Sequence, residues 1–520
     1  MKSLSRYIML MAVPAASFLS SCTKNFESMN KDTNRVLPEN NNPTYNLTRA
    51  ELEYTGNHDF SFETWRVNII YLSLMTQQMA STTGWYSGDK YGRNDGFASS
   101  YFTLAYGNQI KYVNDMLKTT KDKPNYANLY QVGRIARVLI YHRLTDLYGY
   151  VPYFQAGTGD NDTPAYDSQQ AIYADMLKEL DEAAKALNDS KDKIDKSDLI
   201  YRGGDNAVAQ WKKLAYSLMI RLGMRMSKVA PGDARTWVEK GAAGGPILSN
   251  DDNAYIIHDV SGGRITLNRN SNILAGEWDA IGKGNIYLGK TFIDYLKSHK
   301  DPRLKYLAQV TAGGSKDTSV QIGMPNGYDE SNAGATDIKK EPNYPGDILK
   351  YSNIQKNIWL KLDGPTFLVT AAQTELLLAE AKQLGWNIPG GDAASHYNNG
   401  VTAAFKQLAQ YDKSAAITDG EVTAYLAAFP YNPAKGLEQI NTQYWANCFL
   451  DWYEAWSNWR RTDFPKLKPI VYPGDNNGGV IPRRMLYPAA EASSNAASYS
   501  DAIGKQGPNT FNTRVWWDKQ

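Results

Sequence analysis

The sequence predicts a mainly α-helical protein in which helical hairpins stack on one another and long irregular excursions separate them. The helices are predicted because apolar residues recur every three or four positions over long stretches. The hairpins are predicted because pairs of such stretches follow one another within about 40 residues. The excursions are predicted by four stretches rich in Gly, Asn and Pro that are too long for turns, at 157–164, 241–264, 312–346 and 472–482.

The first predicted helices lie in the N-terminal third of the chain. Their apolar faces are formed by two sets of residues: Trp65, Ile69, Leu72, Met75 and Met79, and Leu129, Val132, Ala136, Leu139 and Leu144. The clearest helix spans 172–187 and begins after Asp167, a favourable N-cap with Gln170 three residues later. Its exposed face carries acids and lysines, so one face of this helix is expected to be buried.

Later helices repeat this arrangement. One is predicted from about residue 206 to residue 229, where Pro231 ends it. A pair follows at Ala371–Leu384, closed by Gly385, and Ala393–Tyr411. These pairs resemble tetratricopeptide-type units, but they fit the strict 34-residue consensus poorly. We therefore expect stacked hairpins instead of a regular solenoid.

Composition and charge exclude several functions. The 520 residues include 13 Trp, 35 Tyr and 14 Phe, and the formal net charge is +2. The surplus comes from Lys2 and Arg6, so the chain without its first 21 residues has no net charge. A nucleic-acid partner is not expected, because phosphate binding needs a basic face. The two cysteines and five histidines are scattered, so neither a cofactor nor a metal is predicted.

The N-terminus has the pattern of an export signal. Residues 1–21 combine two basic residues with the apolar run Tyr7–Leu19, which is too short to span a bilayer and fits a signal peptide. The run ends in Leu-Ser-Ser before Cys22, the pattern of a bacterial lipoprotein cleavage site. Cys22 is therefore the predicted lipidation site and new N-terminus, and residues 22–42 form a polar tether. The single helical body is expected to span 43–520.

Only Cys448 remains once Cys22 carries lipid, so no intramolecular disulfide is expected. Cys448 falls in a last helix predicted over Tyr444–Trp459, and we expect it to be a small apolar thiol inside that helix. Asp451 and Glu454 lie close together among aromatic residues in the same segment, as the carboxylates of a glycosidase do. Because they share one helix face and do not flank a cleft, ion pairing with Arg460, Arg461 or a neighbouring helix is the favoured interpretation.

Two further motifs imitate known sites. Residues Gly284–Thr291 satisfy the pattern GxxxxGK[ST], yet no buried strand precedes them and no later strand ends in a magnesium-binding Asp. A glycine-rich turn before a short helix is the favoured interpretation. Asp160, Asn161 and Asp162, followed by Asp167, could ligate calcium, but the glycine and the distal Glu of a calcium loop are missing, which favours a solvated turn.

One loop is the candidate ligand site. Trp85, Tyr86 and Tyr91 lie in a loop rich in Gly, Ser and Asn after the first strong helix, with Asp89 and Arg93 nearby. Aromatic rings on a loop suit a sugar, whose C–H face stacks on a ring while its hydroxyls bind polar groups. We expect the three aromatic residues to stack on ligand and Asp89 and Arg93 to be polar partners. The alternative is a loop folded back onto the core.

A second excursion has the same signature. Trp278 lies beside Glu277 and Asp279 in a segment between predicted helices. We expect Trp278 to be a further stacking platform and Asp279 a polar partner, again with packing on the core as the alternative.

Several segments resemble one family. The sequence from Cys22 to Asp32 resembles the start of mature SusD/RagB-type outer-membrane lipoproteins, which carry an F-x-x-x-N-x-D element. Other matches follow in order along the chain: Asp146–Tyr153 with D-x-Y-G-x-V-P-Y, Phe292–Leu304 with F-x-D-x-L and D-P-R-L, Thr374–Ala381 with the A-E-A helix, and Trp459–Pro465 with W-R-R-T-D-x-P. The C-terminal segment Ile481–Glu491 is only similar to the family's R-x-x-Y-P and P-x-x-E elements, which indicates a divergent SusD-like branch.

The resemblance implies a SusD-like superhelix of four tetratricopeptide-like hairpins with a binding face made of excursions. It also implies a lipid-anchored location at the outer membrane, facing the cell surface, and a TonB-dependent transporter of the SusC kind as partner. Our main hypothesis is a non-catalytic protein that captures oligosaccharides and delivers them to that transporter. Two alternatives are a peptide-binding, RagB-like lid and a lipoprotein glycoside hydrolase that uses Asp451 or Glu454.

Overall fold

A computed structural model describes residues 42–59, 62–157, 161–279, 284–330, 334–474 and 477–519, with Trp278 and Asp279 described by their backbone only. The predicted signal peptide, the predicted lipidation site Cys22 and the predicted tether up to residue 41 lie outside the described residues. Within the described part, no helix has the length and the apolar character needed to cross a membrane.

The described residues between 42 and 150 are mostly helical. Two π-helical stretches, Thr64–Ser73 and Ala105–Ile110, occur within it. The α-helices are α1 (Pro43–Tyr54), α2 (Asp95–Ala98), α3 (Ser100–Leu104), α4 (Lys111–Thr120) and α5 (Ala127–Tyr148).

The remaining described α-helices form two groups. Those before residue 300 are α6 (Gln169–Ala186), α7 (Ala207–Arg225), α8 (Pro231–Ala243), α9 (Arg269–Asp279) and α10 (Lys290–Ser298). Those after residue 300 are α11 (Leu304–Leu307), α12 (Lys356–Trp359), α13 (Ala371–Gln383), α14 (Ala393–Lys406), α15 (Leu408–Tyr411), α16 (Asp419–Ala428), α17 (Gly436–Asn447), α18 (Trp452–Thr462), α19 (Glu491–Ser494) and α20 (Ala496–Gln506).

The helices stack largely in chain order, as the sequence predicts. Helices α4 to α8 each pack on the next, α7 also packs on α13, and α13 packs on both α14 and α17. Helix α17 in turn packs on α18. Small residues permit close approaches between these helices: a Cβ atom at Gly400 of α14 would lie 2.7 Å from Leu376 of α13. The mainly helical, hairpin-based fold is confirmed.

Two predicted helix boundaries are wrong. Ser168, one residue after Asp167, caps α6 by accepting a hydrogen bond from the Ala171 amide, whereas the Asp167 carboxylate accepts the amide hydrogens of Tyr153 and Phe154 at 2.9 Å each. The Asp167 carboxylate thereby binds the chain before α6. The helix predicted to run to residue 229 and to be ended by Pro231 ends at Arg225 instead. Pro231 is the first residue of α8, a position where its missing N–H costs no hydrogen bond.

The last long helix is also divided. The predicted helix over Tyr444–Trp459 is two helices, α17 and α18, joined at a corner where Leu450 has a positive φ of 76°. Cys448 caps the end of α17 and is not in a helix interior. Its thiol is nevertheless buried, as expected, and accepts a hydrogen bond from the Gln373 amide at 3.4 Å.

The described strands are short and pair in twos, all antiparallel. They are β1 (Met79–Ser81) with β5 (Ile286–Leu288), β2 (Val151–Pro152) with β3 (Tyr166–Asp167), β4 (Ala254–Ile257) with β8 (Pro365–Val369), and β6 (Ala308–Val310) with β7 (Ser352–Ile354). The loop that carries Trp85, Tyr86 and Tyr91 follows β1 over residues 82–94, and we refer to it as the Trp85 loop. The pairing of Ala80 with Tyr287 joins the start of this loop to the chain that follows α9.

The segment that imitates a nucleotide-binding loop has its amides already occupied. The Gly289 amide donates to the Gln78 carbonyl at 2.8 Å, and the Lys290 amide donates to the Met324 carbonyl at 2.7 Å. A phosphate cradle needs such amides free and pointing at the ligand. Residues 286–288 form a strand, and Gly289 caps α10, so the interpretation of a turn before a short helix agrees with this geometry.

Buried ion pairs join segments that are far apart in the sequence. Arg461 of α18 donates to both carboxylate oxygens of Glu380 in α13, at 2.5 and 2.7 Å. Arg225 of α7 lies 3.1 Å from the Asp146 carboxylate and 2.6 Å from that of Glu454. Asp146, Glu380 and Arg461 all come from segments that resemble the family's motifs. These motifs therefore carry the charges that connect the helical layers.

Candidate functional site

The Trp85 loop lies against the first π-helical stretch and is held there by a very close backbone approach. A Cβ atom at Gly88 would come within 2.0 Å of the Ile70 carbonyl oxygen, so only glycine fits. At the other end of the loop, the Tyr71 hydroxyl donates to the Gly92 carbonyl and accepts the Asn94 amide hydrogen, both at 3.0 Å. Both ends of the loop are thus fixed to the same helical stretch.

Trp85 is the exposed ring of this loop. Its side chain is 51% exposed, and its ring packs edge-on against Tyr86 at 4.3 Å and against Trp65 at 5.8 Å between centroids. Phe97 of α2 lies 6.4 Å from Trp85 and 6.3 Å from Trp65. We refer to Trp65, Trp85, Tyr86 and Phe97 as the Trp85 cluster. In this cluster the Trp85 indole lies at the surface and packs against the three other aromatic rings.

A hydrogen-bonded triangle lies behind the Trp85 cluster. The Trp65 indole nitrogen donates to the Tyr86 hydroxyl oxygen at 2.8 Å and to the Glu277 carboxylate at 3.1 Å, and the Tyr86 hydroxyl donates to the same Glu277 oxygen. The other Glu277 oxygen accepts from the Asn285 amide at 2.8 Å. Burial, reinforced by the Glu277 charge, raises the pKa of Tyr86 well above its usual range, so the phenol stays a donor.

The two excursions chosen from the sequence therefore meet at Glu277. Trp278 and Asp279 follow it as the last residues of α9. Their backbone lies in the same helical turn as Glu277, next to the residue that the Trp85 cluster contacts. Their predicted contacts with ligand stay predictions.

Asp89 is buried and already has partners. Its carboxylate forms an ion pair with Lys90 at 2.7 Å and accepts the Ser81 amide hydrogen at 3.0 Å and the Asn326 side-chain amide at 3.4 Å. Lys90 also donates to the Ser81 carbonyl at 3.3 Å and lies over the ring of Tyr472. Asp89 thus fixes the loop to β1 and to the 312–346 excursion, and it does not face solvent.

Tyr91 and Arg93 differ in exposure. Tyr91 is 1% exposed and has a left-handed backbone with φ of 55°, and its burial raises the pKa of the phenol. Arg93 is near the surface and forms a two-point ion pair with Asp95 at 2.6 and 2.9 Å. The hydrogen bonds from Arg93 lower the pKa of Asp95. Arg93 keeps a surface position beside the loop, as a polar partner would need.

Burial distinguishes three of these residues from Trp85. Tyr86, Asp89 and Tyr91 present no accessible face in this structure, because each is packed beneath the loop and the first two are bonded within it. Tyr86 and Asp89 fix the loop in this structure, and the predicted ligand contacts of all three residues stay predictions. The loop is folded back on the core for these three residues, whereas Trp85 projects from it.

Arg66 completes the surface and was not identified from the sequence. Its guanidinium group lies 4.5 Å from the Phe62 ring centroid and 5.2 Å from that of Phe97, and partial burial lowers its pKa. Its Nε has no hydrogen-bond partner in the structure. The Nε is buried, whereas Arg66 as a whole is half-buried, so the exposed part of its side chain lies beside the cluster. Trp65 and Arg66 are neighbours on the helix predicted from its apolar spacing. That spacing identifies the buried face of the helix, and it does not show which polar residue lies beside an aromatic cluster.

The carboxylates of the glycosidase hypothesis are occupied elsewhere. Burial opposes the charge of Glu454, but Arg225 and Arg221 outweigh it and lower the pKa of Glu454 to about 2. Glu454 also accepts a hydrogen bond from the Tyr444 hydroxyl at 2.7 Å. Asp451 caps α18 by accepting the Glu454 amide hydrogen, and burial raises its pKa. Ion pairing with a neighbouring helix accounts for Glu454, with Arg225 of α7 as the partner.

Comparison with known proteins gives a consistent result. A family model of SusD-like proteins, described as starch-binding and associating with the outer membrane, matches residues 38–488. No curated protein matches the chain.

Three solved structures share the fold over their whole length. A chitin-binding protein is 33% identical, covers 92% of this chain and 100% of its own, and superposes with a TM-score of 0.81. A SusD-like protein of the Bacteroidetes is 27% identical over 92% of this chain and 100% of its own, with a TM-score of 0.79. A chitin-binding SusD homologue from Flavobacterium johnsoniae, 24% identical over 92% of this chain and 99% of its own, has the same fold with a TM-score of 0.76.

The family model covers most of the chain, and the ordered motifs and helical layers agree with it. The chain therefore belongs to the SusD-like family of outer-membrane-associated glycan-binding proteins, whose members bind ligands without catalysing a reaction.

Proposed function

We propose that this protein captures oligosaccharides at the cell surface on the Trp85 cluster and delivers them to a TonB-dependent transporter of the SusC kind. The observation that carries the ligand contact is the Trp85 ring, 51% exposed and held edge-on by two neighbouring aromatic rings. A fixed ring suits a pyranose, because the sugar stacks on it without the ring losing further freedom. Arg66 and Arg93 are the polar partners at the rim.

Oligomers of N-acetylglucosamine are the first ligand to test. A relative that is 33% identical over nearly the whole chain is named a chitin-binding protein. Chitin is uncharged, and the chain from Cys22 onward has no net charge. The balance of charges supports an uncharged ligand, although it does not choose between chitin and starch.

Isothermal titration calorimetry of the chain from residue 22, with Cys22→Ser to prevent lipidation, tests the ligand contact. Chitohexaose, maltohexaose and a mixture of oligopeptides are titrated in parallel. We expect chitohexaose to bind and Trp85→Ala to weaken binding by at least about tenfold, as loss of a central aromatic contact does. Phe154→Ala is the matched control, because that ring is 50% exposed. Heat from the peptides and none from either sugar would favour the peptide-binding alternative instead.

The anchor and the transporter need their own tests. In the native host, the wild-type protein is expected in the outer-membrane fraction, and Cys22→Ser is expected to remove it from that fraction. Purification from detergent-solubilised membranes is expected to recover a TonB-dependent transporter with the protein. Recovery of the protein alone under conditions that preserve known outer-membrane complexes would count against the delivery role.

A further inference from the structure

A second open groove lies between the end of α10 and the face of α16. Its volume is about 520 Å³, and its walls come from three parts of the chain: residues 296–305, residues 318–319 and residues 421–429. A groove of this volume is within the range of small-ligand sites, roughly 300–1,000 Å³. It shares no residue with the Trp85 cluster.

One wall of the groove is aromatic and is fixed from behind. The His299 ring lies 5.0 Å from Phe429 and 4.5 Å from Tyr295 between centroids. Tyr425 lies 5.4 Å from Phe429, is buried, and accepts a hydrogen bond from the Gln443 amide at 2.5 Å. His299 and Phe429 are half-buried, so each keeps part of its ring toward the groove. This wall resembles the Trp85 cluster in construction, with half-exposed rings on a buried support.

The facing walls are held by hydrogen bonds. Lys297 of α10 donates to the carbonyl oxygens of Ser319 and Gln321 at 3.0 and 2.9 Å, which fastens the 318–321 segment to the helix. On the other side, Asp301 is buried and forms an ion pair with Arg303 at 2.6 Å. The groove is therefore a preformed depression.

Lys300 occupies a position that usually belongs to glycine. Its φ is 47°, and the Asp301 amide donates to the Leu296 carbonyl at 2.8 Å across it, which closes the end of α10 in a Schellman turn. A residue with a Cβ is strained in this left-handed conformation, and such strain is concentrated at functional sites. The strained residue is a lysine, and its exposed side chain lines the groove.

The groove has an excess of positive charge although the whole chain is nearly neutral. Lys305 is neutralised by Glu421, and Asp301 is neutralised by Arg303. This leaves the ammonium groups of Lys297 and Lys300 without an acidic partner among the residues that line the groove. Both lie at the carboxyl end of α10, where the helix dipole favours a cation but offsets only part of two full charges.

We infer that this groove binds an anionic saccharide unit, with the sugar ring against Phe429 and His299 and its acidic group at Lys300. The inference rests on the proposed capture of oligosaccharides and adds a second contact with a different chemistry. The acidic group can be a carboxylate, as in a uronate, or a sulfate ester, because both present oxygens to an ammonium group. Neutral sugars keep the Trp85 cluster as their site.

Titration of the same Cys22→Ser chain tests the groove, with trigalacturonate, a sulfated galactose disaccharide, neutral galactotriose and an acidic peptide as probes. At least one anionic probe is expected to bind more tightly than galactotriose, and its binding is expected to weaken as salt is added. Lys300→Glu and Phe429→Ala are each expected to weaken that binding by about tenfold or more. Lys123→Glu, the same change at an exposed lysine before α5, is expected to leave it unchanged.

The variant Lys300→Gly distinguishes a role of Lys300 in ligand binding from a role in closing the end of α10. Glycine relieves the left-handed backbone and removes the ammonium group, so the melting temperature is expected to rise while affinity for the anionic probe falls. A lysine retained only to close the helix would give the rise in stability without any loss of binding, and that result would overturn the inference.

Other outcomes are equally decisive. Three results would each overturn the inference. They are equal affinity for galactotriose and for the anionic probes, unchanged binding of the anionic probe by Lys300→Glu, and binding of an acidic peptide but of neither anionic saccharide. Chitohexaose is titrated into the same samples, and Trp85→Ala is compared with Lys300→Glu. If chitohexaose binds through Trp85 while both anionic probes fail, only the groove inference falls. If every saccharide fails, the proposed function falls with it.

Discussion

Trp65 donates its indole N–H to the hydroxyl oxygen of Tyr86 at 2.8 Å, and both side chains donate to one carboxylate oxygen of Glu277. These three residues come from the first π-helical stretch, the Trp85 loop and α9. The contact therefore joins three segments directly beneath the exposed Trp85 ring. Because the Tyr86 ring packs edge-on against Trp85, fixing its hydroxyl also fixes a ring that supports Trp85.

We expect Tyr86→Phe to weaken ligand binding without removing any ligand contact. The change deletes the hydroxyl that bridges Trp65 and Glu277, while the Trp65 N–H keeps Glu277 as an acceptor at 3.1 Å. The free energy of unfolding is expected to fall by about 1 kcal/mol, the net value of one buried hydrogen bond. Affinity for the oligosaccharide is expected to fall severalfold, measured by calorimetry. Tyr45→Phe, at a 67% exposed ring, is the control and should change neither quantity.

Asp89→Asn tests whether the buried ion pair holds the loop. The substitution keeps an acceptor for the Ser81 amide but leaves the Lys90 ammonium group buried without its counter-charge. Removing one partner of a buried pair costs about 3–5 kcal/mol, so urea unfolding should show a loss of that order. Asp95→Asn makes the same change in the exposed pair with Arg93 and should cost about 1 kcal/mol or less. Equal effects of the two variants would show that the Asp89 pair has no special role.

Helical spacing predicts the fold because the apolar residues of a buried helix face recur every three or four positions, so the local sequence shows them directly. A loop has no such period. Trp85, Tyr86 and Tyr91 look alike in the sequence, and only their distant partners separate the exposed ring from the two buried ones. The partner that fixes Tyr86 is Glu277, in another excursion of the chain. The sequence therefore indicates the two excursions that meet, whereas the position of each individual residue depends on contacts that local sequence does not encode.

Helix ends were predicted less well than helices, for a related reason. Ser168 and Asp167 are both favourable caps, and the choice between them is made by the amides of Tyr153 and Phe154, which engage the Asp167 carboxylate. Arg461 is a similar case. The sequence shows a charged residue in an aromatic helix, and only the fold shows that Glu380 of α13 neutralises it.

We expect Glu380→Gln to be strongly destabilising. The Arg461 guanidinium loses the charge of its two-point partner while it stays 2% exposed. The expected decrease in the free energy of unfolding is about 3–5 kcal/mol, measured by urea denaturation. Asp501→Asn makes the same change in the exposed pair with Lys505 and should alter stability by less than about 1 kcal/mol. A small effect of Glu380→Gln would mean that water enters the site or that Arg461 finds another acceptor.

The last expectation concerns acid stability and His258. Burial lowers the pKa of His258 to about 4, and its two ring nitrogens lie 2.9 Å from the Thr266 carbonyl oxygen and from the Thr366 hydroxyl. In the unfolded chain a histidine has a pKa of about 6.5, so between pH 6.5 and pH 4 the unfolded state binds a proton that the folded state does not. The folded state is therefore stabilised above pH 6.5, and this stabilisation is lost as the pH falls towards 4.

The size of this effect follows from the shift of the pKa. We expect the wild-type protein to lose up to about 3 kcal/mol of unfolding free energy between pH 6.5 and pH 4 through this one group. Carboxylates also titrate in this range, so the measurement is the difference between the urea-unfolding curves of the wild type and His258→Gln at each pH. His299→Gln is the control, because this histidine is half-buried and has a different hydrogen-bond partner, the Tyr295 carbonyl. The stability difference between the wild type and His258→Gln should shrink as the pH falls, because only the wild type has a buried imidazole that stays neutral while its unfolded state binds a proton. A stability difference that does not change with pH would contradict this assignment.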